Sequence, residues 1–195
     1  MKEQVLSVSE VFYSLQGEGN ASGYPFIFIR LAGCNLRCGY CDTGYSFDRG
    51  REISLNALLD EIKALPAAKR VLITGGEPLL QKEGVIALTR ALISFGKTVY
   101  LETNGSLSLE GLPDAMIKIV DIKTPGSGFK DSFLFANLKL LKPQDELKMV
   151  ICHEEDLDFA ENLVIQYRLP DLCTVHFSPV AGGIPPRKAA LRILE

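Results

Sequence analysis

Short apolar runs alternate along this chain with stretches whose apolar positions recur every three or four residues. Residues 6–14 alternate partially and predict a strand, and residues 26–31 form a short apolar strand with one embedded arginine, Arg30. A helix is predicted from Ser54, with Leu55, Leu58, Leu59, Ile62 and Leu65 on one face and Pro66 helping to end it. Residues 70–74 read as a strand. A second helix carries Val85, Leu88, Leu92 and Phe95 and stops at Gly96. Further strands are predicted over 98–102, 117–122, 147–152 and 175–177. Helices are predicted over 133–141, over 157–167 through Leu157, Ala160, Leu163, Val164 and Tyr167, and from Lys188 to Glu195.

Strands alternating with helices argue for βαβ units and a mostly parallel sheet, an α/β fold. The strands are nearly continuous apolar runs, as expected when both faces are covered. Polar and glycine-rich motifs repeatedly follow strands, where βα-barrels build their sites. A complete eight-unit barrel takes about 250 residues. The 195 residues here fit an open partial (βα) barrel, and one domain over 1–195 is expected, with no linker, repeat or low-complexity tract.

Composition narrows the function. Hydrophobic residues make up 47% of the chain, enough for a sizeable core, and the net charge is −3. Without a basic block, binding driven by phosphate neutralisation is not expected. No apolar run approaches the roughly 20 residues that span a bilayer, and Met1-Lys2-Glu3-Gln4 opens polar, so a reducing cytoplasm is the expected location. Cys152 and Cys173 sit in apolar runs and read as small buried side chains.

The other three cysteines dominate the chemistry. Cys34, Cys38 and Cys41 fall in the spacing C-x3-C-x2-C, on one loop after the second strand. Three thiolates suit an iron–sulfur cluster or zinc. A [4Fe–4S] cluster normally takes four cysteines, so three leave one iron open to a ligand. A zinc knuckle completed by His153 or His176 is the alternative. A disulfide framework fits poorly with five sparse cysteines. Gly75-Gly76-Glu77-Pro78 alone reads as a turn before a helix, Asp121-Ile122-Lys123 as a strand-end charge pair, and Thr43 as a turn residue. An arginine inside an apolar strand needs a partner. For Arg30 that is either a structural carboxylate or a bound carboxylate held in a bidentate contact.

The C-x3-C-x2-C loop, with Tyr40 before the third cysteine and Gly75-Gly76-Glu77-Pro78 behind it, resembles the radical S-adenosylmethionine (radical SAM) superfamily. Phe12-Tyr13-Ser14-Leu15-Gln16-Gly17-Glu18-Gly19, Asp42-Thr43, Thr74 and Glu102-Thr103-Asn104-Gly105 narrow the resemblance to the 7-carboxy-7-deazaguanine synthase family. It is dense to about Gly105 and looser afterwards. The resemblance implies that Cys34, Cys38 and Cys41 hold a [4Fe–4S] cluster whose open iron chelates SAM. Gly76, Glu77, Asp121, Ile122, Lys123, Ser178, Pro179, Val180 and Ala181 then contact SAM. Leu15, Gln16, Gly17, Arg30 and Thr74 bind the pterin, and Thr43 is the protein's ligand to Mg2+. The implied reaction contracts the ring of 6-carboxy-5,6,7,8-tetrahydropterin to 7-carboxy-7-deazaguanine with loss of ammonia, on the route to queuosine and related 7-deazapurines. No side chain is assigned as acid or base, because an adenosyl radical removes hydrogen from C6. A homodimer and a flavodoxin or ferredoxin reductant are also implied.

Family members continue past their last helix into a strand with a His-Lys dipeptide. This sequence ends at Glu195 without one, so a shortened or differently closed substrate pocket is expected. Competing readings are a glycyl-radical-activating enzyme, a non-enzymatic metal-binding module, and a homologue that binds SAM without turnover. The Gln16–Gly19 loop and Asp42-Thr43 favour a small pterin over a protein partner.

Overall fold

In the computed structural model, residues 4–48 and 50–194 are described. The polar opening Met1-Lys2-Glu3 and the end of the last predicted helix, Glu195, lie outside the described residues. The chain packs as two compact units. The first comprises residues 1–35, 43–103 and 109–118, and the second residues 36–42, 104–108 and 119–195.

The first unit holds β1 (Val5–Leu15), β2 (Pro25–Leu31), β3 (Arg51–Ser54), β4 (Arg70–Gly75) and β5 (Thr98–Thr103), in the order β3-β1-β2-β4-β5. β1 pairs antiparallel with β2 and β3, while β2, β4 and β5 run parallel. Phe26, Ile27 and Ile29 of β2 and Val71 and Ile73 of β4 are at most 1% exposed, which accounts for their unbroken apolar runs. Helix α1 (Leu55–Ala64) starts where predicted: the Ser54 hydroxyl accepts from the Ala57 amide. Helix α2 (Lys82–Ser94) ends before Gly96, which takes the left-handed φ of 72° that closes a helix. The short strand β3 is new. Its four residues, Arg-Glu-Ile-Ser, carry too little apolar pattern to be read as a strand, and backbone pairing to β1 alone defines it.

The second unit holds β6 (Ile117–Asp121) from Ile119 onward, β7 (Glu146–Ile151) and β8 (Thr174–Pro179), parallel and in that order, with α3 (Glu154–Tyr167) and α4 (Pro186–Leu194). The helix expected over 133–141 is corrected. Residues Phe135–Leu140 form only a 3-10 segment. Asn137, fully buried, donates through Nδ2 to the carbonyls of Gly105 and Leu107 at 3.0 Å, so this stretch is anchored by a side chain to a neighbouring loop. Its apolar spacing reports burial of Phe133 and Leu138, not α-helical winding. Among the described residues no helix is long and apolar enough to cross a membrane.

Candidate active site

The loop that begins at Cys34 leaves the end of β2. None of the five cysteines is paired in a disulfide. Cys34 and Cys38 are half-buried, Cys41 is exposed, and Cys152 and Cys173 are buried as expected. Among the described residues no three His, Cys, Asp or Glu side chains are gathered closely enough to hold a single metal ion. A cubane spreads its thiolates over different irons, so it asks for three thiols outside any disulfide on one loop, which Cys34, Cys38 and Cys41 supply.

In the first unit the support is backbone against backbone. Gly76 donates to the Leu31 carbonyl at 3.1 Å, and Glu77 donates to the Gly33 carbonyl at 2.8 Å. A Cβ on Gly75 would lie 2.1 Å from the Leu31 oxygen, and one on Gly76 would lie 2.1 Å from the Gly33 oxygen and 2.8 Å from Cys34 Cβ. The double glycine therefore lets the end of β4 press against the strand end that delivers Cys34. Glu77 is fully buried. Its Oε1 accepts from the Leu79 amide at 2.9 Å and from the Thr103 hydroxyl at 2.8 Å. Thr43 opens a 3-10 turn, Gly44–Phe47. Its carbonyl accepts from Ser46 N and Oγ, and the Ser46 carbonyl accepts from Gly33 at 2.7 Å.

The same unit carries a row of polar side chains across an otherwise apolar sheet. Glu10 on β1 pairs in register with Arg30 on β2, and Arg30 pairs in register with Thr74 on β4. Thr74 donates its hydroxyl to Glu102 of β5 at 3.1 Å. Arg30 Nε donates to Glu10 Oε1 at 2.7 Å, and the Tyr45 hydroxyl donates to the same oxygen at 2.7 Å. Burial pushes the Glu10 carboxyl up, but the bonds from Tyr45 and Arg30 and the guanidinium charge outweigh it, leaving it below its ordinary value. The structural carboxylate that Arg30 requires is thus present. It engages Nε and leaves the two Nη groups, the pair suited to a bidentate carboxylate contact. Gln16 folds its Oε1 over the amides of Gly17 and Glu18 at 2.9 and 3.4 Å, which shapes the turn after β1, and Leu15 beside it is 64% exposed.

In the second unit the candidate residues occupy the carboxyl ends of β6 and β8, the two strands that flank β7. Asp121 closes β6 and accepts from Lys123 Nζ at 2.8 Å, and Ile122 N donates to the Lys148 carbonyl at 2.8 Å. Lys123 Nζ stands 5.6 Å from the centre of the Tyr40 ring. Burial pulls the Lys123 ammonium down, but Asp121 and Tyr40 outweigh it and keep it above its ordinary range. Burial pushes the Tyr40 phenol up, against the opposing Lys123 charge. The Tyr40 hydroxyl is buried without a hydrogen-bond partner. Ser178 and Pro179 end β8 in register with Val150 and Ile151, and Val180 donates to the Ile151 carbonyl at 2.9 Å. Ala181 follows, exposed, before the left-handed Gly182.

Sequence reasoning missed Glu10, Tyr45 and Asp156, each a partner brought in by folding. Only Asp156 left a trace, as one of three acids opening a helix.

Residues 28–126 match the radical SAM superfamily. The 7-carboxy-7-deazaguanine synthase of Koribacter versatilis is 41% identical over 175 residues, which is 89% of this chain and 77% of that protein. The enzyme of that name from Methanospirillum hungatei is 42% identical over 91% of this chain and 74% of its own. The one from Chlorobaculum tepidum is 38% identical over 96% and 86%. The crystal structure of QueE from Escherichia coli aligns with a TM-score of 0.77 over 97% of this chain and 88% of that chain, at 24% identity. At that identity the alignment shows the shared α/β fold.

Proposed function

The chain belongs to the 7-carboxy-7-deazaguanine synthase family of the radical SAM superfamily, and from that premise we propose that it converts 6-carboxy-5,6,7,8-tetrahydropterin to 7-carboxy-7-deazaguanine with release of ammonia. The family implies a [4Fe–4S] cluster and SAM. When bound they supply the radical that abstracts hydrogen from the substrate. The chain's own residues then do the holding. Cys34, Cys38 and Cys41 are the cluster's ligands in this reading. Gly76 and the carbonyls around it, with Asp121–Lys123 and Ser178–Ala181, receive SAM. Glu77, already committed to Leu79 and Thr103, acts by orienting that loop.

The observation that carries the substrate reading is the row Glu10–Arg30–Thr74–Glu102. Glu10 fixes the guanidinium through Nε, so that Nη1 and Nη2 face a carboxylate without rotamer loss. Thr74 and Glu102 add hydroxyl and carboxylate groups suited to the N–H edge of a pterin, and Leu15, Gln16 and Gly17 frame it. Such fixed contacts supply orientation, the main protein contribution to a radical step. We place Mg2+ on Thr43, whose oxygen suits a hard cation that accepts few protein ligands. A homodimer, a flavodoxin- or ferredoxin-type donor, a cytoplasmic location and a single radical SAM domain complete the proposal.

The test is anaerobic reconstitution with iron and sulfide, reduction, and addition of SAM, Mg2+ and the carboxytetrahydropterin. Formation of 7-carboxy-7-deazaguanine supports the reading. SAM cleavage without that product would discard the substrate and keep the superfamily.

A further inference from the structure

The loop arm from Leu36 to Asp42, which carries Cys38 and Cys41, belongs to the second unit. Within that unit Gly39 N, in the middle of the arm, donates to the Ser127 carbonyl at 3.2 Å. Ser127 ends a short 3-10 turn, Pro125–Ser127, which follows Lys123. Ser127 N and Oγ donate to the Thr124 carbonyl at 3.0 and 2.6 Å and close the turn from within, while one more group, from outside it, fixes Gly126.

That fixing group is a carboxylate. Asp156 lies in the first turn of α3 and is fully buried. Its Oδ1 accepts from Gly126 N at 2.7 Å, and its Oδ2 accepts from Cys152 N at 2.8 Å and His153 N at 3.1 Å. A buried carboxylate is costly unless its oxygens are satisfied, and charge-assisted bonds of this kind are stronger than neutral ones. Thr124 adds a second tie, donating its hydroxyl to the Val150 carbonyl at 2.7 Å. Gly126 has to be bare, since a Cβ there would sit 2.6 Å from Asp156 Oδ2 and 3.0 Å from Cys152 Cβ. The Cys152 thiol is held protonated, pushed up by burial and then by the Asp156 charge.

We propose that Asp156 is a positioning residue for the cysteine loop: by clamping Gly126 it helps aim the Ser127 carbonyl at Gly39 and so sets the conformation of the Cys38–Cys41 arm that would hold the cluster. The residue stands more than a hundred positions beyond the cysteines in the sequence. The inference rests on the reading that this loop carries a cluster.

Asp156→Asn separates the two sides of the clamp. The amide keeps the volume but has one acceptor oxygen. Facing Cys152 and His153 it satisfies two donors, which leaves its NH2 against the Gly126 amide. Hydrogen exchange is measured on cluster-free and reconstituted protein, and SAM is titrated against the electron paramagnetic resonance signal of the reduced cluster. Exchange in peptides covering 36–42 and 124–129 should rise about tenfold, with 157–167 unchanged, and SAM should bind roughly tenfold more weakly, as expected for losing one charge-assisted bond. Gly126→Ala, which keeps the acid but drives a methyl toward it, should reproduce the pattern. Unchanged exchange over 36–42, a uniform rise across the second unit, local loosening with unaltered SAM affinity, or unfolding of both variants would each overturn the proposal. Wild-type protein that takes up no cluster sinks the functional reading instead, and exchange in the cluster-free protein still decides the clamp.

Discussion

The two ends of the cysteine loop are supported by opposite means. At Cys34 the support is the absence of side chains: Gly75 and Gly76 let one backbone lie directly on another. At Cys38–Cys41 it is a side chain, the Asp156 carboxylate acting through Gly126 and Ser127. A steric support tolerates no added atom. A hydrogen-bonded support depends in addition on which atoms donate and which accept.

That difference predicts unequal damage. Gly75→Ala should be the most harmful substitution. It places a Cβ 2.1 Å from the Leu31 oxygen and demands a φ of 146° that alanine avoids. Overpacking and backbone strain together should cost on the order of 2–4 kcal/mol. Urea denaturation measures the stability loss, and iron content should fall with it. An alanine variant within about 0.5 kcal/mol of wild type, inside the ordinary range for surface changes, would mean that the two backbones are free to part.

Arg30→Ala comes next and probes the polar row instead of the loop. Loss of a charge-assisted contact should lower kcat/KM by about 10- to 100-fold, while the cluster's absorbance and iron content stay at wild-type levels. Arg30→Lys should recover little, because an ammonium cannot keep Nε on Glu10 and offer two further parallel donors. Equal turnover in the alanine variant removes Arg30 from substrate binding. Glu77→Ala should be milder in turnover but visible in stability. Two buried donors, Leu79 N and Thr103 Oγ1, lose their acceptor, at about 1–3 kcal/mol. Glu77→Gln keeps an oxygen for both and should recover most of it. Full loss of SAM binding in Glu77→Gln with unchanged stability would instead make the carboxylate a direct ligand.

The strand order of residues was legible wherever burial was two-sided: β2, β4 and β5 are continuous apolar runs with polar ends, and both the cysteines and the double glycine follow such ends. The reason for the glycines was only half legible. Gly-Gly signals close approach, but only the structure shows that the approaching atoms are Leu31 O and Gly33 O. The segment 133–141 misled, because apolar spacing cannot distinguish a helix from an irregular strip pinned by Asn137. Glu10 was illegible, and Asp156 left no more than the trace of a helix-opening acid, for another reason. Each acts on a residue brought near by register or by a βα turn, and single-sequence patterning carries no information about such pairings.

The smallest expected effect lies at Glu10. Its carboxyl sits below the ordinary value in the folded protein, because bonds from Tyr45 and Arg30 outweigh burial. A carboxyl depressed on folding contributes stability that is fully present above its unfolded value, about 4.3, and is lost as pH falls through the lower folded value. Glu10→Gln should therefore be slightly less stable than wild type at pH 7, and the two should converge below about pH 4. The group is partly exposed, so the gap at neutral pH should be within about 1 kcal/mol. Urea midpoints of cluster-free protein at both pH values measure it. The same variant sharpens the Arg30 prediction. With a neutral amide oxygen still accepting from Nε, turnover should fall far less than in Arg30→Ala. A loss as deep as that of Arg30→Ala would show that the carboxylate charge, and not merely the orientation it gives the guanidinium, is what the substrate site requires.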